Sequence, residues 1–324
     1  MGILTQAQIQ QFNQQGFIAL EDVLDIERFI KPVEQEYDVQ LRELCDAWSA
    51  QGKMPTLPPE ATFADRIKAS YAAGLDYLQP LDISLPGKNV KPDTPMHTGP
   101  ATFRLLTAAP LLDVVESLIG PEITSNPIQH VRIKPPMALV RARENRSFIT
   151  HTAWHQDRAV TLEEADRSRI VTTWLAMTDA TLENGCLQVF PESHQGDMLT
   201  HCARPQLGIP EELLPAVKPK HVTVRKGGII VFHPLTIHGA GHNNSEQLRW
   251  SFDIRFNVTG DPTGREMFPD FVARSRSDPE QELHDPQAWQ QRWLSARERL
   301  AYKQPAQGFH RWGDNPEQQS KVPL

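Results

Sequence analysis

The chain has 324 residues, of which 39% are hydrophobic and 23% charged, and 33 basic against 40 acidic residues give a formal net charge of −7. These values exclude a collagen, a coiled coil and a disordered chain. Acidic and basic residues are interleaved, so no basic stripe is present to neutralise phosphates, and we expect no nucleic-acid partner.

Cysteine usage and the absence of targeting signals predict the compartment. The chain has 3 cysteines, Cys45, Cys186 and Cys202, which lie far apart and form no Cys-x-x-Cys pair. This pattern argues against a disulfide framework and against a structural zinc site. The sequence also shows no secretory leader and no apolar run of the length that spans a bilayer. We therefore expect a cytoplasmic protein without a membrane partner, as a monomer or homodimer.

The first third of the chain has helical patterning. Thr5 and Gln8 resemble a capping box that begins a helix ending at Gly16, and the short apolar piece 17–20 follows. Asp25 can cap a second helix, because apolar residues recur after it every three or four positions. That stripe comprises Phe29, Val33, Tyr37, Leu41, Leu44 and Trp48. Helical patterning returns near 64–77 and at 111–119, and a proline-rich loop covers 86–100.

From about Thr124 the chain consists of short runs rich in β-branched and aromatic residues, separated by Gly, Pro, Asn or Asp. Such runs predict a β-sandwich or barrel. They are Ile128–Lys134, Ile170–Thr178, Cys186–Phe190, His221–Arg225, Ile229–His233 and Arg249–Asn257. After Gly260 we expect a helical tail, with Trp289, Trp293, Ala296 and Leu300 on one stripe. The predicted organisation is a single domain over residues 1–324, with a mostly helical N-terminal region over residues 1–123, a β core over 124–258 and a helical tail over 259–324.

The β-rich region contains a candidate metal site. In an extended segment residues two apart point to the same side, so His155 and Asp157 can converge on one ion. His238, at the end of a later predicted strand, can supply a third ligand. Two imidazoles and one carboxylate form a facial triad, which suits non-haem Fe(II) because three coordination positions stay open, although zinc would accept a similar set.

A candidate anion clamp lies eleven residues beyond His238. An iron oxygenase that uses 2-oxoglutarate needs a cation for the far carboxylate of that cosubstrate, and the planar guanidinium of Arg249 suits it. The strand that begins at Arg249 alternates strictly. We expect its polar face, which carries Ser251, Asp253 and Arg255 as well, to look into the barrel, and its aromatic face to pack against helices.

These segments, in this order, resemble the phytanoyl-CoA dioxygenase family over about residues 125–258. The resemblance is carried by His155-Gln156-Asp157, Thr173-Trp174-Leu175, Asp179-Ala180-Thr181-Leu182-Glu183-Asn184-Gly185-Cys186-Leu187, Pro191-Glu192-Ser193-His194 and His238-Gly239-Ala240-Gly241 through Arg249. It implies a double-stranded β-helix, or cupin-like jelly roll, that is mainly β and flanked by N- and C-terminal helices. It also implies an oxidoreductase that uses Fe(II), 2-oxoglutarate and O2, with His155, Asp157 and His238 as iron ligands and Arg249 as the cosubstrate clamp.

One position departs from the family pattern. Many members carry a serine two residues after the distal histidine, which gives the cosubstrate carboxylate a second hydrogen bond, whereas this chain has Ala240. Arg249 must then act alone or with a substitute such as Ser251 or Thr173. The resemblance also places Gln129 and Lys134 where the family often has polar residues that face the cosubstrate or substrate.

The expected reaction is hydroxylation of an unactivated C–H bond of a small metabolite or natural product, with release of succinate and CO2. Trp174 and Arg158 are further candidates for contact with this small-molecule substrate. Two alternatives remain open at this point. One is a cupin-like metal enzyme that does not use 2-oxoglutarate, and the other is a non-catalytic jelly-roll binding protein that keeps a metal for stability.

Overall fold

A computed structural model describes residues 2–75, 78–87, 89–140, 150–202, 207–303 and 311–312. Five α-helices precede most of the β structure and a sixth follows it. They are α1 (Gln6–Gln15), α2 (Lys31–Ala50), α3 (Phe63–Ala72), α4 (Pro100–Leu106), α5 (Ala109–Ile119) and α6 (Pro286–Tyr302). Among the described residues, no helix combines the length and the apolar character that crossing a lipid bilayer requires.

Local sequence signals place the first helices where they were predicted. The Thr5 side chain and Gln8 form the reciprocal capping box, and Gly16 ends α1 with a φ of 78°, a left-handed conformation that glycine adopts without strain. Asp25 caps a short π-helix, Ile26–Ile30, that leads directly into α2. Val33, Tyr37 and Leu41 of the predicted stripe are fully buried.

Two antiparallel sheets form the β structure. Their strands are β1 (Phe17–Leu20), β2 (Glu122–Ser125), β3 (His130–Lys134), β4 (Thr152–His155), β5 (Ile170–Ala176), β6 (Leu187–Val189), β7 (Lys220–Val222), β8 (Ile229–Phe232), β9 (His238–Ala240), β10 (Arg249–Val258) and β11 (Phe271–Ser275). The larger sheet has the order β1-β8-β5-β10-β2-β11, with β3 also paired to β10. The smaller sheet has the order β4-β9-β6-β7.

Strand β10 has two different faces. Its aromatic face packs against the helices, and its polar face lies on the opposite side of the sheet. Trp250, Phe252 and Phe256 are buried in the same apolar cluster as residues of α2, α5 and α6. Arg249 and Ser251 on the opposite face are buried as well. The predicted alternation of polar and aromatic residues along β10 is confirmed. Residues of β3 and β5 that pair directly with a residue of β10 lie on the same face of the sheet as that residue.

The structure contains several elements that are absent from the predicted runs, among them β2, β4 and β9. Residues 100–106 form α4, which was not predicted and shares only Pro100 with the expected loop 86–100; Pro100 occupies the first helical turn, where no backbone N–H is needed. The tail is not purely helical, since β11 lies before α6 and pairs with β2. This five-residue strand forms by pairing with residues that are far away in the sequence. Its own sequence therefore predicts a strand only weakly.

Candidate metal and cosubstrate site

Strands β4 and β9 bring the two predicted histidine ligands together. They are antiparallel neighbours, and His155 is the direct register partner of His238. Asp157 follows β4 and opens a 3-10 turn, Asp157–Val160, so it does not lie in the extended segment that was predicted. The turn nevertheless returns its carboxylate to the histidines. Asp157 Oδ1 lies 3.6 Å from His155 Nε2 and 3.9 Å from His238 Nε2.

In both histidines Nδ1 is hydrogen-bonded to a backbone carbonyl, which leaves Nε2 available to bind a metal ion. His155 Nδ1 bonds to the Ala153 carbonyl at 2.8 Å, and His238 Nδ1 bonds to the Thr236 carbonyl at 3.0 Å. Each Nδ1 must therefore carry the proton, which leaves a lone pair on each Nε2 beside Asp157. Burial, and then the neighbouring His238, lower the pKa of His155 to about 4, and burial also lowers the pKa of His238. Both rings are neutral at physiological pH.

The Asp157 carboxylate is fixed by a buried arginine that the sequence did not single out. Arg255 Nη2 donates to Asp157 Oδ1 at 2.7 Å and Arg255 Nε donates to Oδ2 at 3.2 Å. Thr172 Oγ1 donates to the same Oδ2. Burial raises the pKa of Asp157, but the Arg255 charge and then the two histidines outweigh it, and the pKa lies well below its usual value. The carboxylate is therefore ionised and held in one orientation.

Arg249 has the features expected of an anion clamp. Its side chain is buried, and among the described residues its Nε and Nη1 have no hydrogen-bond partner. The guanidinium lies 5.3 Å from the ring centroid of Trp174, a cation–π distance. Burial lowers the pKa of Arg249 to about 10, so the group stays charged at neutral pH. The Ser251 hydroxyl, on the same face of β10, is also buried without a partner among the described residues.

The structure places two predicted site residues elsewhere. Thr173 is the register partner of Ile254 and donates to the carbonyl of that residue at 3.1 Å, so it lies on the helical face of β5. The threonine that faces the site is Thr172. Trp174, two residues later on the same strand, shares its face, so the sequence could have indicated Thr172. Gln129 also turns away from the triad. Its amide donates to Ser125 Oγ at 2.7 Å, and Ser125 pairs with Phe256 on the helical face.

Arg158, expected near the substrate, instead holds the loop that follows the triad. Its guanidinium donates to the carbonyls of Ala165 and Ser168, the latter at 2.8 Å. A cavity of about 600 Å³ lies beside this loop, and its lining includes Arg158, Ser168, Met198 and Leu235 but none of the triad residues. Arg158 therefore acts on the conformation of residues 158–168.

The donor set fits a first-row metal ion with an anionic chelator. One ring nitrogen from each histidine and one Asp157 oxygen lie within 4.8 Å of one another, and the three residues lie on or next to adjacent strands. Neutral imidazoles and an ionised carboxylate are the protonation states that metal binding needs. The buried donors of Arg249 and Ser251 that have no partner among the described residues match an anion. Such a site defines a protein of the non-haem metal class.

The match to a protein family agrees with this class. The family model for phytanoyl-CoA dioxygenase (PhyH) matches residues 79–251, more than half of the chain. The chain belongs to the phytanoyl-CoA dioxygenase family.

Individual relatives are more distant. A Caenorhabditis elegans protein named "Probable phytanoyl-CoA dioxygenase" is 30% identical over 165 residues, which cover 48% of this chain and 51% of that protein. The mouse protein named "Phytanoyl-CoA dioxygenase domain-containing protein 1" is 24% identical over 281 residues, which cover 78% of this chain and 90% of that protein. The chain thus spans about half the length of the first of these relatives.

Among solved structures, the non-heme monooxygenase ThoJ in its apo form superposes with a TM-score of 0.57 at 19% identity, and the match covers 91% of this chain and 97% of that one. At this identity the likeness shows a shared fold.

Proposed function

We propose that this protein is an Fe(II)- and 2-oxoglutarate-dependent dioxygenase that hydroxylates a C–H bond of a small metabolite or natural product. The observation that carries the proposal is the combination of the His155, Asp157 and His238 triad with the buried guanidinium of Arg249 on the polar face of β10, whose Nε and Nη1 have no partner among the described residues. A triad alone would suit several metals. The arginine adds a binding site for a carboxylate, which a metal site for hydrolysis or for stability does not need.

The residues of the chain have separate tasks in this proposal. His155, Asp157 and His238 would hold the iron. Arg249 binds the far carboxylate of 2-oxoglutarate and orients the chelating end of that molecule toward the iron. Trp174 packs against the Arg249 guanidinium and keeps water from the ion pair. Bound iron supplies the oxidising chemistry, in which O2 is consumed, 2-oxoglutarate becomes succinate and CO2, and one oxygen atom enters the substrate.

The finer features belong to the same proposal. The two antiparallel sheets would form the double-stranded β-helix of the family, and residues 1–324 would form one catalytic domain. The net charge of −7 and the absence of a dense cluster of Lys and Arg in the sequence favour a compact metabolite over an acyl-CoA. We also propose that the protein acts in the cytoplasm as a monomer or homodimer.

The test begins with anaerobic addition of Fe(II) and then 2-oxoglutarate to the purified protein. We expect a weak visible absorption band when the chelate forms, and succinate release once O2 is admitted. Substitution His238→Ala should abolish both signals. Substitution Arg249→Met should raise the 2-oxoglutarate concentration for half-maximal absorption by roughly tenfold or more, because hydrogen bonds between charged groups are lost.

A matched control is Arg42→Met, because Arg42 forms a surface pair with Asp38 and its side chain is 53% exposed. This variant should behave like the unmodified protein. Metal binding without any band or succinate would exclude 2-oxoglutarate use and favour the cupin-like alternative, in which Arg249→Met leaves turnover intact. Loss of folding in His238→Ala would favour a structural metal. A panel of acyl-CoAs and small metabolites, screened for stimulated succinate release, identifies the substrate class.

A further inference from the structure

The cavity beside residues 158–168 is separate from the metal triad. Its volume of about 600 Å³ lies within the range of small-molecule sites. It is bordered by the last turns of α1 and α5, the start of β5 and the connection between β8 and β9. Arg158, which follows Asp157 directly, lines the cavity, whereas Asp157, His155 and His238 do not. The cavity is therefore distinct from the point at which the three metal ligands converge.

Positive charge exceeds negative charge around this cavity. The charged side chains that line it are Arg158, Arg167, Arg169, Asp166 and Asp197. Asp166 is already neutralised, because Arg311, which does not line the cavity, donates to both of its oxygens. Within the described ranges of the chain, no carboxylate forms an ion pair with Arg158 or Arg167. An anion in the cavity would therefore meet guanidinium groups that have no carboxylate partner there.

His233 supplies a neutral hydrogen-bond donor to the same cavity. The Leu235 N–H donates to His233 Nδ1 at 3.2 Å. Burial, and then the neighbouring His194, lower the pKa of His233 to about 4, so the ring is neutral at physiological pH and its one proton lies on Nε2. No described residue accepts a hydrogen bond from this N–H, and the ring lines the cavity. The charge of Arg158 contributes to the same pKa shift, so the two side chains lie near each other.

Much of the remaining lining is apolar. It includes Phe12 on α1 and Leu118 and Ile119 on α5. These side chains suit the hydrocarbon part of a ligand, whereas the arginines and His233 suit an anionic end. A carboxylate with one negative charge fits better than a doubly charged phosphate, because Asp197 also lines the cavity and would repel the larger charge.

We propose that this cavity is a binding site for a monocarboxylic acid with an apolar body, separate from the site for 2-oxoglutarate. The carboxylate lies between Arg158, Arg167 and His233, and the hydrocarbon part lies against Phe12 and Leu118. Arg158 also holds the loop that follows the metal ligands, so a bound acid contacts the segment next to the metal centre.

The test is isothermal titration calorimetry of the purified full-length protein with octanoate, octanamide and acetate. Octanamide has the length of octanoate but no charge, and acetate has the charge but almost no apolar body. We expect octanoate to bind at least roughly tenfold more tightly than either compound, because charged hydrogen bonds and apolar contacts both contribute.

Four variants locate the site. Arg167→Gln removes an exposed cation and should weaken octanoate binding roughly threefold to tenfold, while octanamide binding stays within about twofold. Leu118→Trp fills part of the cavity and should weaken the binding of both compounds. Arg104→Gln is the matched control, because Arg104 is also exposed but does not line the cavity. Arg249→Met should bind octanoate like the unmodified protein, since Arg249 belongs to the metal and cosubstrate site.

The opposite results would overturn the proposal. Equal affinities for octanoate and octanamide, or no octanoate binding at millimolar concentration, would show that the cavity does not recognise a carboxylate. Loss of octanoate binding in Arg249→Met would place the acid at the cosubstrate site. Unchanged octanoate affinity in Arg167→Gln would place it elsewhere on the protein, and this variant decides alone if Leu118→Trp does not fold. Because the titrations need neither iron nor 2-oxoglutarate, their failure leaves the proposed function standing.

Discussion

Arg255 and Asp157 form a buried ion pair in which two guanidinium nitrogens contact the two carboxylate oxygens, at 2.7 Å and 3.2 Å. Arg255 Nη1 also donates to the Ile128 carbonyl at 3.0 Å. The pair holds the one anionic residue of the triad in a fixed orientation. Its consequences for stability and for metal binding can be measured separately.

Substitution Arg255→Met should destabilise the metal-free protein by about 3–5 kcal/mol, because it leaves the buried Asp157 carboxylate without its cation. Urea denaturation of the metal-free protein gives this value. Added Ni(II) should raise the stability of the variant more than that of the unmodified protein, since the metal then supplies the missing positive charge. A loss of stability below about 1 kcal/mol would contradict a role of Arg255 as the counter-ion.

Thr172 and Thr173 form a matched pair on opposite faces of β5. Thr172→Val removes a hydrogen bond to the Asp157 carboxylate, whereas Thr173→Val removes one to the Ile254 backbone. Each variant should lose about 1 kcal/mol of stability. We expect only Thr172→Val to weaken Ni(II) or Co(II) binding, by roughly threefold to tenfold, in isothermal titration calorimetry. Equal metal affinities in the two variants would show that Thr172 does not orient Asp157.

Gly239 lies between the two positions of β9 that border the site, and it has little space around it. A Cβ added there would lie 2.8 Å from the backbone carbonyl oxygen of Thr152 on β4, closer than real contacts allow. Gly239→Ala should therefore push β9 away from β4, separate His238 from His155 and weaken metal binding at least roughly tenfold. Gly241→Ala is the control, because its nearest contact is the flexible side chain of Gln188 at 3.3 Å. Unchanged metal binding in Gly239→Ala would contradict this packing argument.

Stability of the metal-free protein should fall as the pH is lowered from about 6.5 toward 4. Burial lowers the pKa values of His155 and His201 to about 4, whereas a histidine in the unfolded chain titrates near 6.5. Between these values the unfolded state binds more protons than the folded state, so each histidine contributes a slope of up to roughly 1.4 kcal/mol per pH unit.

Urea denaturation at several pH values checks this slope. His201→Asn should remove the share of His201, whose Nε2 accepts from the Gln156 N–H at 3.0 Å. Saturating metal should keep the share of His155 and extend it below pH 4, because a ligating histidine binds no proton in the folded state whereas the unfolded chain still does. A flat profile from about pH 6.5 to 4.5 in the metal-free protein would contradict the neutral, buried state of both rings.

Strong local signals made much of the fold predictable. The capping box at Thr5 and the strict alternation along β10 both depend on neighbouring residues, and both agree with the structure. The strand β11 was missed, since it forms by pairing with β2, about 150 residues earlier in the chain.

The metal-binding triad could be predicted because sequence spacing and family resemblance both indicate its residues. The grouping of His155, Asp157 and His238 agrees with the structure. Arg255 was placed on the polar face but was given no role, because its pairing with Asp157 depends on how the turn after β4 folds back. Thr173 was chosen over Thr172, although residues two apart on a strand share a face and Trp174, itself a site candidate, therefore indicated Thr172.

The alternation of polar and aromatic residues along β10 also limits where insertions can occur in this protein. One strand carries Arg249 and Arg255 on one face and Trp250 and Phe256 on the other. A single-residue insertion near Ser251 would turn one end of the strand over. Either Arg249 would enter the apolar helical core while Trp250 entered the anion site, or Arg255 would leave Asp157 and enter that core. Insertions that alter substrate choice must therefore occur in the connections between strands, while β10 keeps a constant length.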